Sequence, residues 1–159
     1  MQKVIEVKNL VKKYPDLTAV NGISFDVQKG EIFGLLGENG AGKTTTLEMI
    51  EGLRHPSSGS IKVLGMDNYK NLTEIKEKIG VQLQSSAYYN FLKLSEIMDL
   101  FGGFYKKQSN SNELFEMVGL ESKKDTYVNN LSGGQRQRFS IIASLINDPE
   151  IVFLDEPTT

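Results

Sequence analysis

The chain opens with short stretches in which apolar and polar positions alternate. Val4-Ile5-Glu6-Val7 is rich in β-branched residues, and Ile23, Phe25 and Val27 alternate with Ser24, Asp26 and Gln28. A period of two predicts half-buried strands. Lys29-Gly30 reads as a turn into Glu31-Ile32-Phe33-Gly34-Leu35-Leu36, an apolar run that predicts a strand covered on both faces. A glycine-rich stretch then opens a helix through about Leu53, with Leu47, Ile50 and Leu53 on its apolar side. Pro56-Ser57-Ser58-Gly59 breaks that helix, and Ile61 and Val63 alternate again before Gly65. Val81 and Leu83 mark a short strand ending at Gln84.

The period then changes. Leu94, Ile97, Met98, Phe101, Phe104 and Tyr105 recur at helical spacing, although Gly102-Gly103 argues against one unbroken helix. Leu114, Met117 and Val118 predict a second helix, stopped by Gly119. Phe139, Ile142, Ala143 and Ile146 form one face of a third. It starts at Ser132, where Ser132-Gly133-Gly134-Gln135 matches a capping box, and Asn147-Asp148-Pro149 stops it. Ile151-Val152-Phe153-Leu154 reads as a buried strand ending in Asp155-Glu156. No internal repeat or low-complexity segment interrupts the pattern.

Composition narrows the class. The 159 residues suit one domain. With 39% apolar and 24% charged residues, the chain is neither a wholly disordered polymer nor a coiled coil. The absence of cysteine excludes a disulfide scaffold and a thiolate metal site, and fits a reducing cytosol. A net charge of -2 argues against a dedicated nucleic-acid binder. No apolar run approaches the ~18–20 residues that span a bilayer, and MQKVIEVKNLVKKY lacks the apolar core of a signal peptide. The expectation is a cytosolic protein.

The sharpest chemical signal is Gly37-x-x-x-x-Gly42-Lys43-Thr44, with Asn39, Gly40 and Ala41 inside it. It follows a predicted strand and opens a predicted helix, the setting that makes a phosphate loop credible. Glycines let the backbone curl so that successive N–H groups point at phosphate oxygens, and the helix N-terminus adds partial positive charge. Lys43 can reach the β- and γ-phosphates, and the Thr44 hydroxyl can ligate Mg²⁺. Asp155-Glu156 forms a second constellation. One carboxylate at that strand end can hold Mg²⁺ through its water shell, and the next can orient and deprotonate an attacking water. The third is Leu131-Ser132-Gly133-Gly134-Gln135, another helix start stripped of bulk and suited to phosphate.

Taken in order, the phosphate loop, LSGGQRQR and IVFLDEPTT resemble the ATP-binding subunits of ABC transporters, over the whole chain. EGLRHPSSGSIKVLG and IGVQLQSSAYYNFLKLSE resemble the exporter ATPases of the bacitracin and daunorubicin type. The resemblance implies an α/β fold: a P-loop NTPase with a RecA-like core, an N-terminal antiparallel β-subdomain and an inserted helical subdomain. Residues 1–84 would hold the β-subdomain and phosphate-loop core, 85–140 the helical subdomain with the signature, and 141–159 the return to the core. It further implies ATP and Mg²⁺ as ligands. Tyr14 matches the aromatic that stacks on adenine, a contact worth about 1–3 kcal/mol. Asn39, Gly40, Ala41, Gly42, Lys43 and Thr44 would cradle the phosphates, with Thr45 reaching the α-phosphate. Gln84 matches the glutamine that senses Mg²⁺ and the γ-phosphate and contacts the membrane partner; Gln82 is a weaker match. Asp155 matches the Mg²⁺-associated acid and Glu156 the catalytic base. Ser132, Gly133, Gly134 and Gln135 match the signature that contacts ATP held by the other subunit of a dimer. A transmembrane permease subunit would complete the assembly and hold this chain at the cytoplasmic face of the membrane.

His55, the only histidine, matches no catalytic position and reads as a surface residue. Tyr88 and Tyr89 read as a packed or half-exposed pair, or as a contact to the membrane partner. The resemblance also implies a core strand and a switch histidine beyond Thr159. That strand would lie between the phosphate-loop strand and the Asp155 strand, so the C-terminal part of the core is missing and the isolated chain is expected to be poorly stable, with little ATPase activity. A soluble ABC-type ATPase acting on DNA or ribosomes, or a nucleotide-binding fragment without turnover, are the alternative readings.

Overall fold

β1 (Lys3–Tyr14) and β2 (Leu17–Gln28) form an antiparallel hairpin, with Ile5 opposite Val27, Val7 opposite Phe25 and Tyr14 opposite Leu17. They belong to a computed structural model that describes residues 2–82 and 88–154. The other edge of β1 pairs with β3 (Ser58–Val63), and β4 (Met66–Asp67) extends the sheet to the order β2-β1-β3-β4. The register shifts between Val7 and Leu10, where Asn9 has a φ of 46°. A bulge adds one residue to a strand, and so Val7 and Leu10, an odd number of positions apart, are both buried. This first unit, residues 1–76, also contains α1 (Lys43–Ile50) and α2 (Leu72–Lys76).

α1 buries Thr46, Met49 and Ile50. It ends three residues before the Leu53 expected from the sequence, and Leu53 is exposed. Gly52, at a φ of 76°, stops it there: Leu53 N donates back to Glu48 O at 2.8 Å and Gly52 N to Met49 O at 3.3 Å. Asn68 Nδ2 also donates to Met49 O at 2.8 Å, and the Tyr69 hydroxyl shares its one proton between Met49 O and Arg54 O, each 3.0 Å away.

The second unit, residues 77–159, has a different core. β5 (Ile79–Val81) and β6 (Ile151–Phe153) pair in parallel. α3 (Leu94–Gly102), α4 (Ser111–Met117) and α5 (Gly133–Ala143) close around Leu94, Ile97, Phe115, Leu120, Phe139 and Ile142. The glycine pair ends α3, so Phe104 falls outside the helix and is exposed. α4 buries Leu114 and Phe115, and leaves Met117 in solvent. A Cβ on Gly80 would stand 2.0 Å from Ser144 O, so only glycine admits the end of α5 this close to β5. Buried Asn147 fastens the same corner by donating to Ile79 O at 2.9 Å. β6 is only half covered, with Val152 and Leu154 exposed.

One expectation fails. Residues 31–36 form no strand, and Ile32 and Leu36 are 102% and 95% exposed. A strand is made by its neighbours, and no described segment offers residues 31–36 a hydrogen-bonded ladder. Within that stretch, Glu31 closes a turn with Gln28, and Phe33 stacks on Phe25 of β2 with ring centroids 5.0 Å apart.

Candidate functional site

The glycine-rich loop stands at the N-terminus of α1, as its sequence predicts. Gly40 and Gly42 have φ values of 84° and 85°, a region that side chains rarely adopt. A Cβ on Gly42 would lie 2.2 Å from Ala19 O, so this glycine also lets the loop rest directly against β2. Ala41 N donates to Glu38 O at 3.1 Å and tightens the turn. No side chain caps the start of α1, and no acidic residue occupies its first turn. The first-turn N–H groups and the positive end of the helix dipole are therefore offered without competition from a side-chain oxygen. An anion with several oxygens suits that geometry.

Lys43 completes the cradle. Its Nζ donates to Gly37 O at 2.8 Å and to Glu38 O at 2.9 Å. An ammonium has three donors, so the third remains for a ligand above the loop. Thr44 is exposed and Thr45 half-buried in the first turn of the helix. Asn39 and Gly40 form the tip of the turn, and Ala41 adjoins them.

Tyr14 closes the β1–β2 hairpin and is 38% exposed. Arg54 Nη1 donates to its hydroxyl at 2.8 Å, and Lys12 Nζ sits 5.3 Å from its ring centroid. Arg54 Nε also donates to Glu48 Oε2 at 2.6 Å, on α1. The helix thus carries the loop at its start and is tied to Tyr14 near its end. No spacing rule in the sequence marks Arg54, Glu48 and Lys12 as neighbours of Tyr14, because only the fold brings them to the hairpin end. His55 is exposed, its ring tilted against that of Tyr69 with centroids 4.7 Å apart, in keeping with a surface residue.

In the second unit, Ser132 and Gln135 make the expected capping box. Ser132 N donates to Gln135 Oε1 at 2.9 Å, and Gln135 N to Ser132 Oγ at 3.3 Å. The Ser132 hydroxyl keeps its own proton to donate. Ser132, Gly133 and Gly134 are exposed, while Gln135 is half-buried. Gln84, Asp155 and Glu156 lie outside the described residues. Gln82 is held firmly: its N donates to Phe153 O at 2.9 Å, and its Nε2 to Ser140 Oγ at 3.1 Å. The direction of the second bond is fixed, since the Ser140 hydroxyl donates to Gln137 O. Tyr88 is a core residue, its hydroxyl pushed well above the ordinary tyrosine range by burial, whereas Tyr89 is exposed. Among the described residues, no group of three or more His, Asp or Glu side chains gathers to hold a metal, and no helix is long and apolar enough to cross a membrane.

Comparison with known proteins gives this geometry a context. Residues 20–159 match the model of the ABC transporter family. The chain is 39% identical, over 160 residues, to the Nod factor export ATP-binding protein I of Burkholderia lata, covering 98% of this chain and 53% of that protein. It is 38% identical to the probable multidrug ABC transporter ATP-binding protein YbhF of Escherichia coli, covering 99% of this chain and 28% of that one. The chain spans about half the length of the first of these curated relatives. Among solved structures, an ATP-binding subunit of an ABC transporter superposes with a TM-score of 0.85 at 27% identity, over 97% of this chain and 66% of that one. A nucleotide-free ATP-binding cassette at 22% identity shares the fold, with a TM-score of 0.85.

Proposed function

The chain belongs to the ABC transporter family, and from that premise we propose that it is the ATP-binding and ATP-hydrolysing module of a transporter. The observation that carries the reading is the loop at the start of α1, with its two left-handed glycines and a lysine that bonds two loop carbonyls and keeps a third donor. Asn39, Gly40, Ala41, Gly42, Lys43 and Thr44 hold the phosphates of ATP, Thr45 reaches the α-phosphate, and Tyr14 stacks on the adenine.

The Thr44 hydroxyl, the Asp155 carboxylate and the Gln84 side chain supply hard oxygen donors, the kind that suits Mg²⁺. The ion, when bound, neutralises charge developing on the β- and γ-phosphates. Glu156 orients the attacking water and accepts its proton. Ser132, Gly133, Gly134 and Gln135 serve a second copy, or a paired ATPase subunit, offering the Ser132 hydroxyl and bare helix-start N–H groups to the γ-phosphate held there. Gln84 relays the state of that site to a transmembrane permease subunit, which holds the protein at the cytoplasmic face of the membrane. Residues 1–84 form the β-subdomain and phosphate-loop core, and 85–140 the helical subdomain. The name of the Nod factor export ATP-binding protein that it resembles supports an exporter.

The test is Glu156→Gln in the intact protein. It is expected to retain ATP binding while turnover falls at least about a hundredfold, the scale of a lost general base. Unchanged turnover would remove Glu156 from the role given to it.

A further inference from the structure

We propose that Arg54 is a positioning residue that sets the plane of the Tyr14 ring for the base of the nucleotide. The proposal rests on the reading that Tyr14 stacks on adenine. Its own support is the set of contacts around Arg54, none of which belongs to the phosphate loop.

Arg54 bonds two acceptors through two different nitrogens. Nε donates to Glu48 Oε2 at 2.6 Å and Nη1 to the Tyr14 hydroxyl at 2.8 Å. The backbone beneath it is equally fixed. Arg54 N donates to Glu48 O at 3.1 Å, and Arg54 O accepts the Tyr69 hydroxyl at 3.0 Å. The following residues are pinned to β1. Lys12 Nζ donates to His55 O at 2.7 Å, Ser57 N to Val11 O at 2.8 Å, and Lys13 N to Ser57 Oγ at 2.9 Å. A flexible surface arginine would share none of these restraints.

The consequence is mechanical. A tyrosine ring at the end of a hairpin can turn about two side-chain bonds. A hydrogen bond at its hydroxyl and the Lys12 ammonium 5.3 Å from its centroid restrict that turning. Because the bond comes from a side chain anchored on Glu48, the ring is oriented relative to α1 itself. α1 also carries the phosphate loop at its start, so Glu48 ties the ring and the loop to one helix. Lysine is a poor replacement for Arg54, since its donors radiate from one point and lack the planar spacing by which Nε and Nη1 reach Glu48 and Tyr14 separately.

The experiment compares two probes by calorimetry on the intact protein: ATP, and inorganic tripolyphosphate, which lacks the base. The variants are Tyr14→Ala, Tyr14→Phe, Arg54→Leu and Arg54→Lys. Tyr14→Phe deletes only the hydroxyl and keeps the ring. The expected result is that Arg54→Leu, Arg54→Lys and Tyr14→Phe each weaken ATP about two- to tenfold, the scale of ordering one side chain, while tripolyphosphate binding stays unchanged. If Tyr14→Ala weakens ATP but Arg54→Leu and Tyr14→Phe do not, the stacking reading stands and the positioning proposal is overturned. If Tyr14→Ala leaves ATP binding unchanged, the stacking reading falls and takes the proposal with it. If Arg54→Leu weakens both probes equally, Arg54 serves the fold and not the base, and the proposal is overturned. Tyr14→Phe decides the matter should Arg54→Leu fail to fold.

Discussion

Lys43 Nζ lies 2.8 Å from the carbonyl oxygen of Gly37, so the lysine that begins α1 closes over the loop that precedes it. A second bond, to Glu38 O at 2.9 Å, fixes the ammonium in place and leaves one donor for a phosphate oxygen. Lys43→Ala removes both the charge and the closure. A charge-assisted hydrogen bond contributes on the order of 1.5–3 kcal/mol, so ATP affinity is expected to fall about ten- to a hundredfold. Equilibrium titration checks this, and affinity within twofold of the parent would contradict it.

Gly42 is where the loop meets the sheet. Alanine there would place a methyl 2.2 Å from Ala19 O, on a backbone with a φ of 85°. The left-handed conformation alone costs roughly 1–2 kcal/mol for a residue with a Cβ, and the clash adds to it. Gly42→Ala is expected to lower the denaturant midpoint of residues 1–76 and to weaken tripolyphosphate binding together. An unchanged midpoint would mean that the loop does not rest on β2.

The capping box of α5 makes a prediction independent of any ligand. Ser132→Ala removes the acceptor for Gln135 N and should cost about 1 kcal/mol. Ser132→Thr retains a hydroxyl and should recover most of it. Amide exchange over residues 133–136 would show the local loss, and equal exchange in the alanine variant would count against the cap.

Asp67 supplies a pH dependence. Its carboxylate accepts the backbone N–H groups of Lys70 and Tyr69, each at 3.1 Å, and these hold its pKa below the ordinary value of 3.8. A carboxyl with a lowered folded-state pKa adds stability that is present above the unfolded-state value and disappears as the pH falls through the folded one. Asp67→Asn should therefore flatten the acid limb by lowering stability near neutrality, with parent and variant converging as the pH falls through the folded-state value. An identical acid limb in parent and variant would show that the turn does not depend on the charge.

Periodicity located most of the elements because each buries one face within its own unit. The alternation around Phe25, the stripe of Phe139 and Ile142, and the Ser132 cap all report interactions within reach of a few residues or one neighbouring element. The loop 37–42 was legible for the same reason, since its glycines answer to local backbone geometry. The segment 31–36 was not. Its apolar run signals burial, but a ladder must be provided by other strands, and no described residue pairs with it. The end of α1 was misplaced because the apolar Leu53 extended the helical pattern past Gly52, whose left-handed backbone turns the chain back onto Glu48 O and Met49 O. Arg54 escaped notice because its partners lie on a hairpin and a helix that only the fold brings together.

The loop at the start of α1 is expected to bind a nucleoside triphosphate. Thermal unfolding against rising Mg-ATP tests it most directly. Binding to the native state alone stabilises by RT ln(1 + [L]/Kd), about 2.7 kcal/mol at a hundred times Kd. The account predicts a midpoint that climbs with Mg-ATP, and a Lys43→Ala curve displaced to higher concentrations. A midpoint that stays flat at millimolar Mg-ATP in the parent protein would contradict it.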